Sequence, residues 1–282
     1  MEYQQTSSKP LPEIVLEPRT GLQFLDFDEL YSYRDLFWFL IWRQLKVRYA
    51  QSAIGIGWAI IQPLFSMLVF TVIFGKLAEI DSNGAPYALF SLAALLPWTY
   101  FSNSVTDGIA SLVTEANMLK KIYFPRILLP ISAVVAKLID LGIASVMMAI
   151  LMIIYQQLPT TQIFLLPLGI LLMVITASGI SIWLTALAVQ YRDVKHAISF
   201  ILQIAMYASP VVYSVSIIPA QWQLFYGINP MVGVIELFRS SLLGTGAIRW
   251  DLLAVGTVSA VTILISGIIF FRGKEKAFAD VA

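Results

Sequence analysis

The stretch "RQLKVRYAQSAIGIGWAIIQPLF" (43–65) changes character halfway along. Arg43, Lys46 and Arg48 crowd its first half, and no charge follows as far as Phe65. Just upstream, "YRDLFWFLIWRQLKVRY" (33–49) mixes Leu36, Phe37, Leu40, Ile41, Leu45 and Val47 with the basic residues, and adds Trp38 and Trp42. Aromatic rings and cations over an apolar stripe suit a helix lying in a membrane interface. The same aromatics equally suit packing on protein. Ser52, Gly55 and Gly57 then permit a turn from lying flat to crossing, because glycine tolerates the change without a Cβ clash. The alternative is one long tilted helix.

The rest of the chain supports a bilayer. Of its 282 residues 59% are apolar and 12% charged, against about 25% charged in soluble domains. A soluble fold of this size has nowhere to hide so much apolar surface. A net charge of +1 points to no nucleic-acid partner, and without cysteine there are no disulfides or thiolate metal sites. The polar opening "MEYQQTSSKPLPEIVLEPRTG" (1–21) has no apolar core behind a basic start, so no cleavable signal peptide is expected.

Uncharged runs locate the crossings. Residues 49–75, 82–106 and 252–271 contain no Asp, Glu, Lys or Arg, and each accommodates one helix of ~20 residues. The uncharged run 141–191 is too long for one crossing and is divided by "QQLPTTQ" (156–162). The run 197–235 starts as a helix and breaks at Pro210, Pro219, Gly227 and Pro230. The expected fold is an all-α polytopic membrane protein with six spans, near 55–75, 87–107, 127–154, 164–188, 197–215 and 251–271. A polar segment 1–30 precedes this transmembrane body (31–271), and a tail, 272–282, follows it. The broken outer stretch "SIIPAQWQLFYGINPMVGVIELFRSSLLG" (216–244) suits two short helices that dip in and return.

Basic residues set the orientation. Lys9, Arg19, Arg34, Arg43, Lys46, Arg48, Lys120, Lys121, Arg126, Arg192, Lys195, Arg272, Lys274 and Lys276 fall on one side, fourteen of the 18. Lys76, Arg239 and Arg249 fall on the other, and Lys137 lies within a span. Both termini are therefore expected in the cytoplasm.

Catalytic signatures are missing from the sequence. His196 is the single histidine, which leaves no HExxH-type zinc site. "SGISIW" (178–183) has the wrong spacing for a nucleophile elbow. Neither Gly75-Lys76 nor Gly273-Lys274 continues as a Walker A phosphate loop, being followed by Leu77 and Glu275. A secondary transporter normally carries ionisable groups at mid-membrane. Here only Lys137 and Asp140 are clear midspan charges, one helical turn apart and able to neutralise each other. Lys137 lies ~16 Å along its span from Arg126. The pair is either a structural ion pair or a contact for an anionic or hydroxylated cargo. The driving force is expected from elsewhere. It can enter through "DGIASLVTEANMLKKIYFPR" (107–126), where Ile109, Leu112, Val113, Ala116 and Leu119 recur at helical spacing. Such a cytoplasmic helix can dock on a soluble partner or simply lie in the interface.

In order and spacing, "RDLFWFLIWRQLKVRYAQSAIGIGWAIIQPL" (34–64), "LPWTYFSNSV" (96–105), "NMLKKIYFPRILLP" (117–130), "YRDVKH" (191–196), "SPVVYS" (209–214) and "INPM" (228–231) resemble the Wzm-type membrane permeases of bacterial ABC exporters. These export O-antigen, capsule or teichoic-acid polysaccharides. The resemblance implies two permease copies and two ATPase subunits in the bacterial inner membrane. ATP and Mg would be held by the ATPases and no cofactor by this chain, and a lipid-linked glycan would be the cargo. It implies an ATPase-coupling helix including Ser111, Leu112, Glu115, Asn117, Leu119, Lys120 and Lys121. It also favours Trp98, Tyr100, Phe101, Tyr207 and Tyr213 as channel-lining aromatics, since rings stack on sugars, although most membrane aromatics only pack or anchor. A drug or small-lipid exporter of the same topology is the alternative.

Overall fold

A computed structural model describes residues 27–50, 54–115, 118, 121–191 and 193–275, and among them all regular structure is helical. Helix α1 (Phe27–Ser32) leads into α2 (Arg34–Ala50). A short turn of helix, Gly55–Gly57, then introduces α3 (Trp58–Phe70), which continues with wider winding over Thr71–Leu77. Gly55 has φ of 53°, a value that no right-handed helix accommodates. Helices α2 and α3 are therefore separate, and the single long tilted helix is excluded.

Next come α4 (Tyr87–Thr114), α5 (Leu128–Ile154), α6 (Leu166–Gln190) with a lead-in turn Thr161–Leu165, and α7 (Val194–Tyr207). The chain finishes with α8 (Ala220–Tyr226), α9 (Pro230–Leu243) and α10 (Trp250–Lys274). Four stretches, Trp58–Leu77, Leu128–Ile154, Thr161–Gln190 and Trp250–Lys274, are long and apolar enough to cross a membrane. Helix α4 is long enough at 28 residues but more polar, and it is the hub, packed against α3, α5, α6, α7 and α9. A helix surrounded by protein needs less hydrocarbon on its surface than one facing lipid.

Small residues let these helices approach. A Cβ on Gly179 of α6 would lie 2.8 Å from the Leu264 backbone of α10, and one on Gly267 would lie 2.8 Å from the Gly179 carbonyl. Hydroxyls add polar links between α4 and α6, with Thr185 Oγ1 donating to the Gly108 carbonyl at 3.0 Å. Both devices suit a bundle whose helices gain little from excluding lipid.

Three sequence expectations change. The fifth helix, expected over 197–215, is α7, only 14 residues long, and it ends at Tyr207. Turns follow because Pro210 has no N–H to donate and disfavours helix at Ser209. The expected cytoplasmic helix 107–126 begins as the last two turns of α4, which runs on to Thr114 before turning at Glu115. Arg239, counted with the outer loops, is instead 1% exposed. Its Nη2 donates to Val211 O (2.8 Å), Nη1 to Tyr213 O (2.9 Å) and Nε to Phe90 O (3.3 Å), while its guanidinium stacks 3.6 Å from the Phe90 ring centroid. It thus ties α9, buried at every position except Glu236, to α4 and to the turns after α7.

Hydrogen bonds between loops define two ends. At one, Asn83 donates to Ser214 and Gln157 to the Leu243 carbonyl. At the other, Arg43 pairs with Glu115, and Arg126 donates to the Glu275 carbonyl. The beginning and end of the described chain thus share one end of the bundle.

Candidate functional site

From that end inward, α2 meets the bundle through charge. Arg48, near the end of α2, reaches Asp107 of α4 at 2.5 Å and Asp140 of α5 at 2.8 Å. Lys137, one turn before Asp140, lies 2.9 Å from Asp107 but 3.7 Å from Asp140. Two cations and two carboxylates form a neutral square spanning three helices. The Lys137–Asp140 pair is present but not self-contained, because the closer partner of each lies on another element. The Tyr49 hydroxyl also donates to Asp140. Burial, then the Asp140 hydrogen bond, pushes the Tyr49 hydroxyl up to about 12, so it stays protonated near neutrality. The Lys137 side chain is 8% exposed and that of Asp107 39%, which places the network on the border of the packed interior. Beside it lies a cavity of about 160 Å³ whose walls include Trp58, Gln62, Tyr100 and Asn103.

A second polar seam runs along α2. Arg43 Nη1 lies 2.6 Å from Glu115, and Gln44 donates to Ser132 of α5. Leu40, Ile41 and Leu45 are buried, while Trp38, Phe39 and Trp42 are exposed. The protein takes the aliphatic stripe and leaves the aromatic face outward, so α2 divides the two roles its composition allowed.

The residues expected to couple to an ATPase divide as well. Ser111 is buried with its Oγ donating to the Gly108 carbonyl, and Leu112 is buried beside Leu40, Phe124 and Phe271. Glu115 belongs to the Arg43 bridge, and Lys121 is exposed. Asn117, Leu119 and Lys120 lie outside the described residues. The apolar side chains offered outward here are Val113, Ile122 and Tyr123.

The candidate channel aromatics do not come together. Trp98 and Phe101 are buried side by side with ring centroids 5.4 Å apart. Tyr100 is also buried, donates to Val134 O at 3.0 Å and borders the small cavity by the charge square. Tyr207 is half exposed, and its carbonyl accepts from Tyr213, whose hydroxyl lies 3.0 Å from that of Tyr226. His196 is exposed in the first turn of α7. Among the described residues no cluster of His, Asp and Glu could hold a metal ion.

Sequence reading missed Arg48, Asp107 and Arg239 as partners. Arg48 looked interfacial and Asp107 looked like the start of a cytoplasmic helix. The signal for Arg239 was its i,i+3 spacing from Glu236 inside an apolar stretch.

Residues 35–243 match the family described as ABC-2 type transporter. The chain is 31% identical over 255 residues to the O-antigen export system permease protein RfbA of Myxococcus xanthus, covering 89% of this chain and 97% of that one. A Klebsiella pneumoniae protein of the same name is 27% identical over 240 residues, covering 85% and 92%. The polysialic acid transport protein KpsM of Escherichia coli is 24% identical over 246 residues, covering 84% and 93%.

Proposed function

Because the chain belongs to the ABC-2 type transporter family, we propose that it is the membrane permease of an ABC exporter that carries a polysaccharide across the bacterial cytoplasmic membrane. The observation that carries this reading is the breadth of the likeness. Proteins named for O-antigen and polysialic acid transport align along nearly their whole length, which favours a glycan over a drug or a small lipid as cargo. The cargo is a lipid-linked glycan, and two copies of the chain work with two ATPase subunits that bind ATP and Mg. Both termini face the cytoplasm, together with the charge square and the Arg43–Glu115 bridge.

The coupling route follows from the helices. An ATPase touching the segment from Val113 to Tyr123 would push on the end of α4, a rod of ~42 Å at 1.5 Å per residue. Arg43–Glu115 and Arg48–Asp107 bind α2 to that same rod, so the interface helix and α4 move together. Trp98 and Phe101 act in packing, and sugar contacts fall to partly exposed groups such as Tyr207.

Reconstitution tests the proposal. The permease, purified with its ABC ATPase partner, is placed in vesicles containing a lipid-linked glycan. ATP-dependent transfer of the glycan is expected, with no transfer of a fluorescent drug or a short-chain phospholipid. Transfer of either small molecule without the glycan would sink the glycan reading and install the alternative.

A further inference from the structure

Between α4, α5, α6 and α9 lies a cavity of about 660 Å³ that runs from Leu96 and Leu141, beside the charge square, to the loop end at Gln157, within the ~300–1,000 Å³ usual for ligand sites. We propose that it holds one hydrocarbon chain of a bilayer phospholipid from the leaflet at that end.

The walls include Leu96, Leu141, Met148, Met152, Leu166 and Phe238, and no charged residue lines it. A phosphate or a bare glycan would be stranded there. Water fares little better. Ser145 Oγ already donates to the Leu141 carbonyl, and the Gln157 amide nitrogen to Leu243 O. Apolar cavities without free polar partners stay dry and take up apolar guests. The two methionines supply an adaptable lining for a chain of variable conformation.

Length and access select a lipid chain. Along α5 the lining runs from Leu141 to Ile153, a rise of ~18 Å, close to the ~15 Å of one leaflet in a ~30 Å hydrocarbon layer. Leu141 lies near the middle of α5, while Gln156 and Gln157 form a polar rim at the loop. Apolar depth under a polar rim matches a tail below its head group. Sideways access exists too, since Ala149 of the lining is exposed beside Val146, Ile150 and Ile153 on the same helix. A chain entering from this outward stripe would pack α5 against Phe238 and Leu242 of α9. The inference needs a bilayer and is independent of the cargo.

Photolabelling tests it. The permease–ATPase complex is placed in nanodiscs containing a phosphatidylethanolamine with a diazirine midway along one acyl chain, and labelled peptides are mapped. Labelling of 141–158 and 237–243 is expected to exceed, several-fold, that of the exposed α10 face at Val258, Val261 and Ile265. Ala149→Trp, which fills the cavity, should abolish that excess. Equal labelling of both regions in the wild type overturns the proposal, and this comparison stands even if Ala149→Trp fails to fold. So does labelling by a diazirine polyprenyl phosphate but not by the phospholipid. Disulfide formation between Ala149→Cys chains would put a second copy over the cavity and likewise overturn it.

Discussion

Arg48 and Lys137 carry the same charge into one network, yet their removal should differ. With Lys137→Met, both Asp107 and Asp140 keep Arg48 at 2.5 and 2.8 Å. With Arg48→Met, the two carboxylates share only Lys137, and its distance to Asp140 is 3.7 Å. Each variant leaves a net charge of −1, so the difference isolates geometry from charge. Breaking a fully buried pair costs ~3–5 kcal/mol. Asp107 is partly exposed, and solvent screening brings the cost below that range. In detergent, Arg48→Met should lower the thermal unfolding temperature more than Lys137→Met; the reverse order would refute the square. The double variant Lys137→Met with Asp140→Leu leaves Arg48 on Asp107 and replaces one ion pair by apolar volume, a change that is often neutral. It should fold, bind the ATPase and export. A folded, ATPase-bound double variant with no export would place Lys137 on the cargo route.

Between elements, the α6–α10 crossing brings backbone against backbone. The obstacle to a side chain at Gly179 is the Leu264 backbone at 2.8 Å, which cannot swing aside as a side chain tip can. Gly179→Val must therefore separate the two helices, and overpacking of this kind costs ~1–3 kcal/mol or more. A Cβ at Gly142 of α5 meets nothing within 4 Å, so Gly142→Ala serves as the control. Comparing the two by thermal unfolding and by yield of monodisperse protein, we expect loss only for Gly179→Val. Equal tolerance would show that α6 and α10 do not pack as described.

For the whole molecule, the loop contacts place Asn83 and Ser214 together, and Arg126 with Glu275. This shared-end geometry is independent of the count of basic residues, and cysteine labelling tests both. The natural chain has no cysteine, so single cysteines report cleanly. Asp81→Cys and Gln221→Cys should react in intact cells with a membrane-impermeant maleimide. Lys121→Cys and Lys274→Cys should react only with a permeant one. Impermeant labelling at Lys121 would invert the orientation and remove its end from the reach of a cytoplasmic ATPase.

Composition and the spacing of charges were enough to establish a helical membrane chain, because the cost of placing charge in hydrocarbon leaves long uncharged runs in any such sequence. They also located the break at Gly55, where a glycine can adopt a left-handed backbone. Local signals of this kind act within a few residues. Which side chains meet across helices is a different matter. Arg48 and Asp107 are 59 residues apart and Arg239 and Phe90 149 apart, and no periodicity connects them. Asp107 read as the first residue of a cytoplasmic helix because charge usually marks the water boundary. Folding instead supplied it with two cations, making its position tolerable inside a packed end. Arg239 read as a residue of the outer side for the same reason, until three backbone carbonyls and an aromatic face took the place of water. The solvent of a residue can be inferred from its sequence neighbours, but the partner that replaces solvent is decided only when distant helices pack.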